Sequence, residues 1–328
     1  MSILEGSTRS ASARARADVT LIEVPGTVVT KTLLENPQVL LETTRRLSGN
    51  LRQADSRMIE GLKKKNAELR RAYKALQAAQ EQIIEKKRLE YELDLARELQ
   101  ASLLPRELPP IEAFRFAGRS RPAEAVGGDF YDLIPIGPNF FGLLVASVAG
   151  TGMFAAIFMA LTRALIVSEG KRQLSPKMAA SSVHQLLLQL AKPTMPVSLF
   201  YGVVDVRDRS MKYVNAGHAA PLLRNAGGHI ESLPGEGTML AASLRADMEE
   251  RSIGLKAGDT LMLYSDGLAK AHNTAGEPYG VGRLRAILSS EAAAPDALID
   301  AVFADVDEHT RAAPQTADQA LLIAQLSS

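Results

Sequence analysis

The chain has 328 residues, no cysteine, and 38 Lys+Arg against 37 Asp+Glu. The missing thiols exclude disulfides, thiolate metal sites and a cysteine-nucleophile mechanism, and the balanced charge gives no global attraction to nucleic acid or to anionic membranes. Hydrophobic residues make up 46%, enough for a sizeable core, and the length predicts one large domain plus an appendage because single cores rarely exceed ~250 residues. The most apolar stretch, Phe154–Val167, contains Arg163 and is shorter than the ~20 residues that span a bilayer. The N-terminus lacks a basic-then-apolar signal pattern. A cytoplasmic protein, binding neither nucleic acid nor membrane, is the expectation.

Residues 1–30 read as a disordered or loosely ordered tail, rich in Ser, Ala and Arg, with Val19–Val24 as a short strand or docking segment. Its basic residues have no interleaved aromatics, so it reads as a solvated tail and not a nucleic-acid arm. Residues 31–104 read as a helical linker. Leu62, Leu69, Leu76 and Ile83 recur every seven residues, with Met58, Lys65, Ala72 and Ala79 at the alternate seam positions. The seam returns out of phase at Leu89, Leu93, Ala96, Gln100 and Leu103, a break that locally unwinds a coiled coil. A lone helix folded on its own domain would show the same composition. A seam of 3.5-residue period needs burial along its length, however, and predicts a homodimer through a parallel coiled coil.

Residues 105–328 read as the globular domain, opened by Pro105 and Pro109-Pro110. Strands are predicted at Phe114–Ser120, Phe130–Ile136 and Phe140–Val148, then helices at Gly152–Glu169 and Pro176–Leu190. Further strands follow at Val197–Val206, Ser210–Ala216, Pro221–Asn225, His229–Leu233, Met248–Gly254 and Asp259–Ser265. Helices at Val281–Ser289 and Pro295–Thr310 precede a last strand at Ala320–Gln325. Strands in runs with paired helices predict an α+β domain, not a doubly wound one.

The most informative stretch is Pro122–Ala156. Gly127-Gly128-Asp129 precedes one strand, and Ser147-Val148-Ala149-Gly150-Thr151-Gly152 ends the next. Glycines at a strand end allow close backbone approach, and a carboxylate beside them suits a hard cation; a tight turn with a solvated Asp fits the same residues. No Gly-x-Ser-x-Gly elbow or P-loop occurs. His184, His229, His272 and His309 are scattered without ligand spacing, and His218, in Asn215-Ala216-Gly217-His218, reads as structural at a strand end. Gly276-Glu277-Pro278-Tyr279-Gly280 reads as a Gly-bounded turn or a docking loop.

Pro122–Asp132, the strand–Gly–Gly–helix segment behind it, Tyr213–His218 and Gly258–Gly267 together resemble the PPM-type serine/threonine phosphatases of the RsbU/SpoIIE class, from about Leu89 to Leu326. The resemblance implies two antiparallel sheets between helical layers, preceded by the long coiled-coil helix, with a metal site at one edge. It implies a pair of Mn²⁺ or Mg²⁺ ions held mainly by aspartates, and a small regulatory protein such as an anti-sigma-factor antagonist as partner. In that family the segment equivalent to Ala96–Pro105 joins a sensory module to the phosphatase; none is recognisable before it here.

Carried over position by position, the family pattern gives Asp129, Asp266 and Asp318 as residual metal ligands. Gly128, Asp132, Gly150 and Gly267 would line or back the site. The aspartate that bridges both metals is Ser147 here, and the ligand opening the last strand falls on Ala317, with Asp318 beside it. Lys270 stands where relatives often carry an acid, and Thr151 where they often carry His or Lys. A neutral serine is a poor Mg²⁺ ligand, and two dications a few Å apart repel unless anions lie between them. Two readings follow. The first is a pseudophosphatase or very weak phosphatase that acts by binding a partner, with weak or absent metal. The second is an active metal-dependent phosphoserine/phosphothreonine phosphatase rescued by Asp132, Asp318 and water.

Overall fold

A computed structural model describes residues 12–105, 108–190, 195–289, 294–311 and 313–327. The chain divides into two compact units, Met1–Lys86 and Lys87–Ser328. The division falls inside the phase break between Ile83 and Leu89.

The first unit holds helix α1 (Gly26–Glu35) and the greater part of α2 (Pro37–Leu103). Pro37 opens the second helix, where its missing N–H costs nothing. Two expectations are corrected here. Val19–Val24 forms no strand, and Val19, Leu21 and Ile22 are exposed. The helical region begins at Gly26, ahead of the expected Lys31, because Val28 and Val29 bond back to the Pro25 carbonyl. Residues 1–11 of the expected tail lie outside the described residues. Leu62, Leu69, Leu76 and Ile83 are all exposed along α2.

The second unit contains β1 (Phe114–Arg121), β2 (Asp129–Pro135), β3 (Phe140–Val148), α3 (Gly152–Arg172), α4 (Pro176–Leu190), β4 (Val197–Asp205) and β5 (Ser210–Ala216). They are followed by β6 (Leu222–Arg224), β7 (Ile230–Ser232), β8 (Glu250–Gly254), β9 (Thr260–Tyr264), α5 (Asp266–Ala269), α6 (Val281–Leu288), α7 (Pro295–Thr310) and β10 (Gln319–Leu326). The strands form two five-stranded sheets, ordered β1-β10-β9-β6-β7 and β2-β3-β4-β5-β8, with antiparallel pairing.

The period-2 geometry of β3 shows how the layers assemble. Phe141, Leu143 and Val145 point between the sheets, where they meet Tyr131, Leu263 and Leu322. The alternate residues Leu144, Ala146 and Val148 meet Ala155, Met159 and Val183 of α3 and α4. A strand buried on both faces reads as a continuous apolar run, which is what Phe140–Val148 shows. A third cluster packs Leu298, Val302 and Val306 of α7 onto Leu321 and Ile323 of β10. The order is therefore helix, sheet, sheet, helix. Gly118 is required between the sheets, since a Cβ there would lie 2.3 Å from the Tyr131 ring.

Helix α3 is long and apolar enough to cross a membrane by length and composition. Here Met159 and Ile166 are fully buried in the core, and its first two turns expose Phe154 and Ile157.

Candidate functional site

Strand pairing brings two of the family-pattern positions face to face. Asp129 on β2 is registered opposite Ser147 on β3, and Ser147 opposite Ser198 on β4. These residues, with Gly150, Thr151, Asp266, Gly267, Lys270, Ala317 and Asp318, line an open cleft of about 280 Å³ at one edge of the sheets. The fold thus gathers positions from residue 129 to residue 318 into one place.

Asp129 is buried, and its carboxyl is pushed up to about 7. Burial is the main cause, with the neighbouring Asp318 and Asp266 charges adding to it. Hydroxyl hydrogen bonds from Ser147 and Ser265 oppose the rise. Ser265 can supply one of these because its Oγ also accepts the Ala320 amide at 2.9 Å, which fixes the hydroxyl between β10 and Asp129.

Asp266 opens α5, a helix of four residues that follows β9. Its Oδ2 accepts a hydrogen bond from Lys270 Nζ at 2.5 Å, one helical turn on. A helix this short leaves no periodic signal in the sequence. It brings Lys270 back over Asp266, the i,i+4 geometry that places two side chains on one helix face.

Asp318 is buried, and its carboxylate is held by main chain. Oδ1 accepts the Ala123 amide at 2.8 Å and Oδ2 the Gly128 amide at 2.5 Å, so Asp318 ties the 122–128 loop to the start of β10. The two adjoining glycines are there for room. A Cβ at Gly127 would sit 2.6 Å from Asp318 Oδ2, and one at Gly267 would lie 1.8 Å from the Asp318 carbonyl oxygen. Ala317 lines the cleft with a methyl group, and its carbonyl accepts the Gln315 side-chain amide.

Asp132 does not line the cleft. Three residues after Asp129, it lies on the opposite face of β2, where Arg163 of α3 approaches Oδ2 at 2.7 Å and the Leu133 amide donates to Oδ1. Its expected place at the site is therefore corrected: the alternation of a strand turns it toward the helices. Gly150 has φ +109°, which lets the chain turn from β3 into α3 beside the cleft. His218 lies behind it, buried, with Nδ1 2.9 Å from Ser198 Oγ. Its main-chain N–H donates to Asn215 Oδ1, and its carbonyl accepts the Asn215 amide. Burial pushes the His218 imidazole down to about 4, which the Asp266 charge and the Tyr264 main chain only partly oppose. His184 is likewise structural, accepting the Ala241 amide.

Three contributors carry no recognisable sequence signal for their place here. Ser198 and Ser265 are single hydroxyls with no motif of their own; the β3–β4 register brings Ser198 to Ser147, and hydrogen bonds with Ala320 bring Ser265 to Asp129. Gln100, near the end of α2, reaches the Gly127 main chain with both ends of its amide. Its place in the seam was legible, but its partner 27 residues away was not.

Residues 138–327 match the family of stage II sporulation protein E (SpoIIE). The chain belongs to the SpoIIE family. Among curated relatives it is 25% identical over 245 residues to Protein IcfG of Synechocystis, covering 66% of this chain and 39% of that protein. It is 24% identical over 186 residues to phosphoserine phosphatase RsbU of Bacillus subtilis, covering 56% of this chain and 55% of RsbU. The chain thus spans about half or less of these relatives. Among solved structures, the SiaA PP2C domain of Pseudomonas aeruginosa superposes with a TM-score of 0.64 at 23% identity, covering 73% of this chain and 97% of that domain. That likeness establishes the PP2C-type fold of this SpoIIE-family chain.

A two-metal centre of the PP2C kind asks for several free carboxylates. Among the described residues, no group of three or more His, Cys, Asp or Glu side chains is arranged to hold a metal ion. Asp129, Asp266 and Asp318 each already have partners in the protein, and Ser147 and Ala317 contribute no negative charge. The donor set does not fit two adjacent dications.

Proposed function

We propose that this SpoIIE-family protein is a pseudophosphatase, or at most a very weak phosphatase, that acts by binding a regulatory protein. The observation that carries the reading is the cleft's self-sufficiency. The Ser147 and Ser265 hydroxyls serve Asp129, Lys270 serves Asp266, and the loop amides serve Asp318. Metal-assisted phosphate hydrolysis requires cations that lower the pKa of a bound water and neutralise phosphoryl charge. With any Mn²⁺ or Mg²⁺ bound weakly or not at all, the cleft would recognise a partner without efficient turnover. The relationship to RsbU supports a partner of the sigma-factor switching type, such as an anti-sigma-factor antagonist, and a cytoplasmic setting.

We further assign residues 31–104 as a dimerising coiled coil and 105–328 as the PPM-type domain. The exposed Leu62, Leu69, Leu76 and Ile83 support the coiled coil, because apolar side chains at heptad spacing are covered when a second copy packs alongside.

Calorimetric titration of the full chain with Mn²⁺, alongside turnover of a phosphoserine protein, tests the reading. The expected outcome is absent or single weak binding with no measurable turnover. Two tightly bound ions with metal-dependent turnover would instead establish an active phosphatase.

A further inference from the structure

The three cleft carboxylates differ in how the protein satisfies them. Asp129 and Asp318 are 7% and 8% exposed and are held by hydroxyls and loop amides that belong to the folded strands. Asp266 is different. Its side chain is 54% exposed, and among the described residues the contact on Oδ2 is Lys270 Nζ, itself 69% exposed, at 2.5 Å. So exposed a pair contributes little to folding stability, since water competes for both ends. Its consequence is local. The ammonium sits on the most exposed of the three cleft carboxylates, and a Lys ammonium has donors but no lone pair to share with a metal.

We propose that Lys270 is a tethered cation that occupies the metal position at Asp266 and keeps the cleft free of divalent ions. A metal arriving at Asp266 must displace the ammonium from Oδ2 and then tolerate a positive charge a few Å away. The α5 helix sets this arrangement, because its single turn returns Lys270 over Asp266 and the Asp266 carbonyl accepts the Lys270 amide at 2.8 Å. The inference rests on the pseudophosphatase reading for its setting, but it is a separate claim. That reading concerns ligands that are missing, and this one concerns a cation that is present.

The test compares Mn²⁺ binding to the full chain carrying Lys270→Met, Lys270→Gln or Lys270→Arg, by calorimetry and by the paramagnetic resonance of free Mn²⁺. Removing the charge should tighten binding of one ion roughly tenfold for the Met and Gln variants, as expected for relieving repulsion between an ammonium and a dication across a solvated gap of about 4 Å. The Arg variant, which keeps the charge, should match the parent. Met and Gln variants that stay folded by circular dichroism and bind Mn²⁺ no better than the parent would overturn the proposal. So would an Arg variant that gains as much as they do. Two distinct quantities separate the claims. Stoichiometry and turnover of the parent report on the pseudophosphatase reading, and the variant-to-parent affinity ratio reports on Lys270.

Discussion

Gln100 holds the Gly127 main chain from both sides: its Nε2 donates to the Gly127 carbonyl at 2.6 Å, and its Oε1 accepts the Gly127 amide at 3.1 Å. A side-chain amide paired this way acts like a neighbouring strand, and Arg97 reinforces it by donating from Nε to the Ala125 carbonyl. The last turns of α2 thereby set the loop that delivers Asp129. Gln100→Ala should cost about 1 kcal/mol, the usual net worth of such hydrogen bonds. Hydrogen exchange at the Gly127 amide should accelerate while the amides of β3 remain protected. Unchanged exchange at Gly127 would show that the loop holds itself.

Asp132 and Arg163 tie β2 to α3 through a pair with little access to water. Burial raises the Asp132 carboxyl and Arg163 pulls it back. Arg163→Met should destabilise by about 3–5 kcal/mol, because it strands a buried carboxylate. Adding Asp132→Asn should recover a large part of that loss, and denaturant unfolding of the three variants measures it. Equal stability of the single and double variants would mean that Arg163 acts through packing alone.

Asp318 predicts a loop defect and not a metal defect. Asp318→Ala leaves the Ala123 and Gly128 amides without their acceptor, at about 1–3 kcal/mol for the buried Gly128 amide and less for the partly exposed Ala123 amide. Asp318→Asn, which keeps one acceptor oxygen, should lose less. A thermal melt without metal separates the two, and the order Ala below Asn below parent is expected.

His218 contributes on the acid side. An ordinary imidazole takes its proton near 6.5, whereas burial holds this one neutral down to about 4. The unfolded chain therefore binds a proton that the native state refuses, and stability falls as the pH drops from about 6.5 toward 4. At ~1.4 kcal/mol per pH unit the loss approaches about 3 kcal/mol at the acid end. The ring-proton resonances of His218 followed by NMR should stay flat down to about pH 5; a midpoint near 6.5 would contradict the burial argument.

Ser147→Asp with Ala317→Asp adds two negative charges to the lining of the cleft. The double variant should bind Mn²⁺ at least about tenfold more tightly than the parent, since hard cations are held by carboxylate oxygens. Ser147→Asp also places a carboxylate opposite the buried Asp129, so a loss of about 1–2 kcal/mol in metal-free stability should accompany the gain. A double variant that binds no better would show that these positions do not face a metal.

Apart from the four-residue α5, the strands and helices of the globular domain are legible in the sequence, because alternation, glycine and proline are local signals that survive without context. Phe140–Val148 read as a strand and is one, and Pro176–Leu190 read as a helix and is one. The motifs' resemblance to one family also groups Asp129, Ser147, Asp266, Ala317 and Asp318, and one cleft gathers them. The sequence did not reveal the partner of each carboxylate. Asp132 and Asp129 are three residues apart and look equivalent in a motif, yet strand alternation sends one to Arg163 and the other to the cleft. Asp318 looked like a ligand and is held by two loop amides almost two hundred residues earlier in the chain. Lys270, where relatives often carry an acid, is set on Asp266 by a four-residue helix. Such partnerships depend on register and on contacts between distant segments, and only the tertiary structure brings those together.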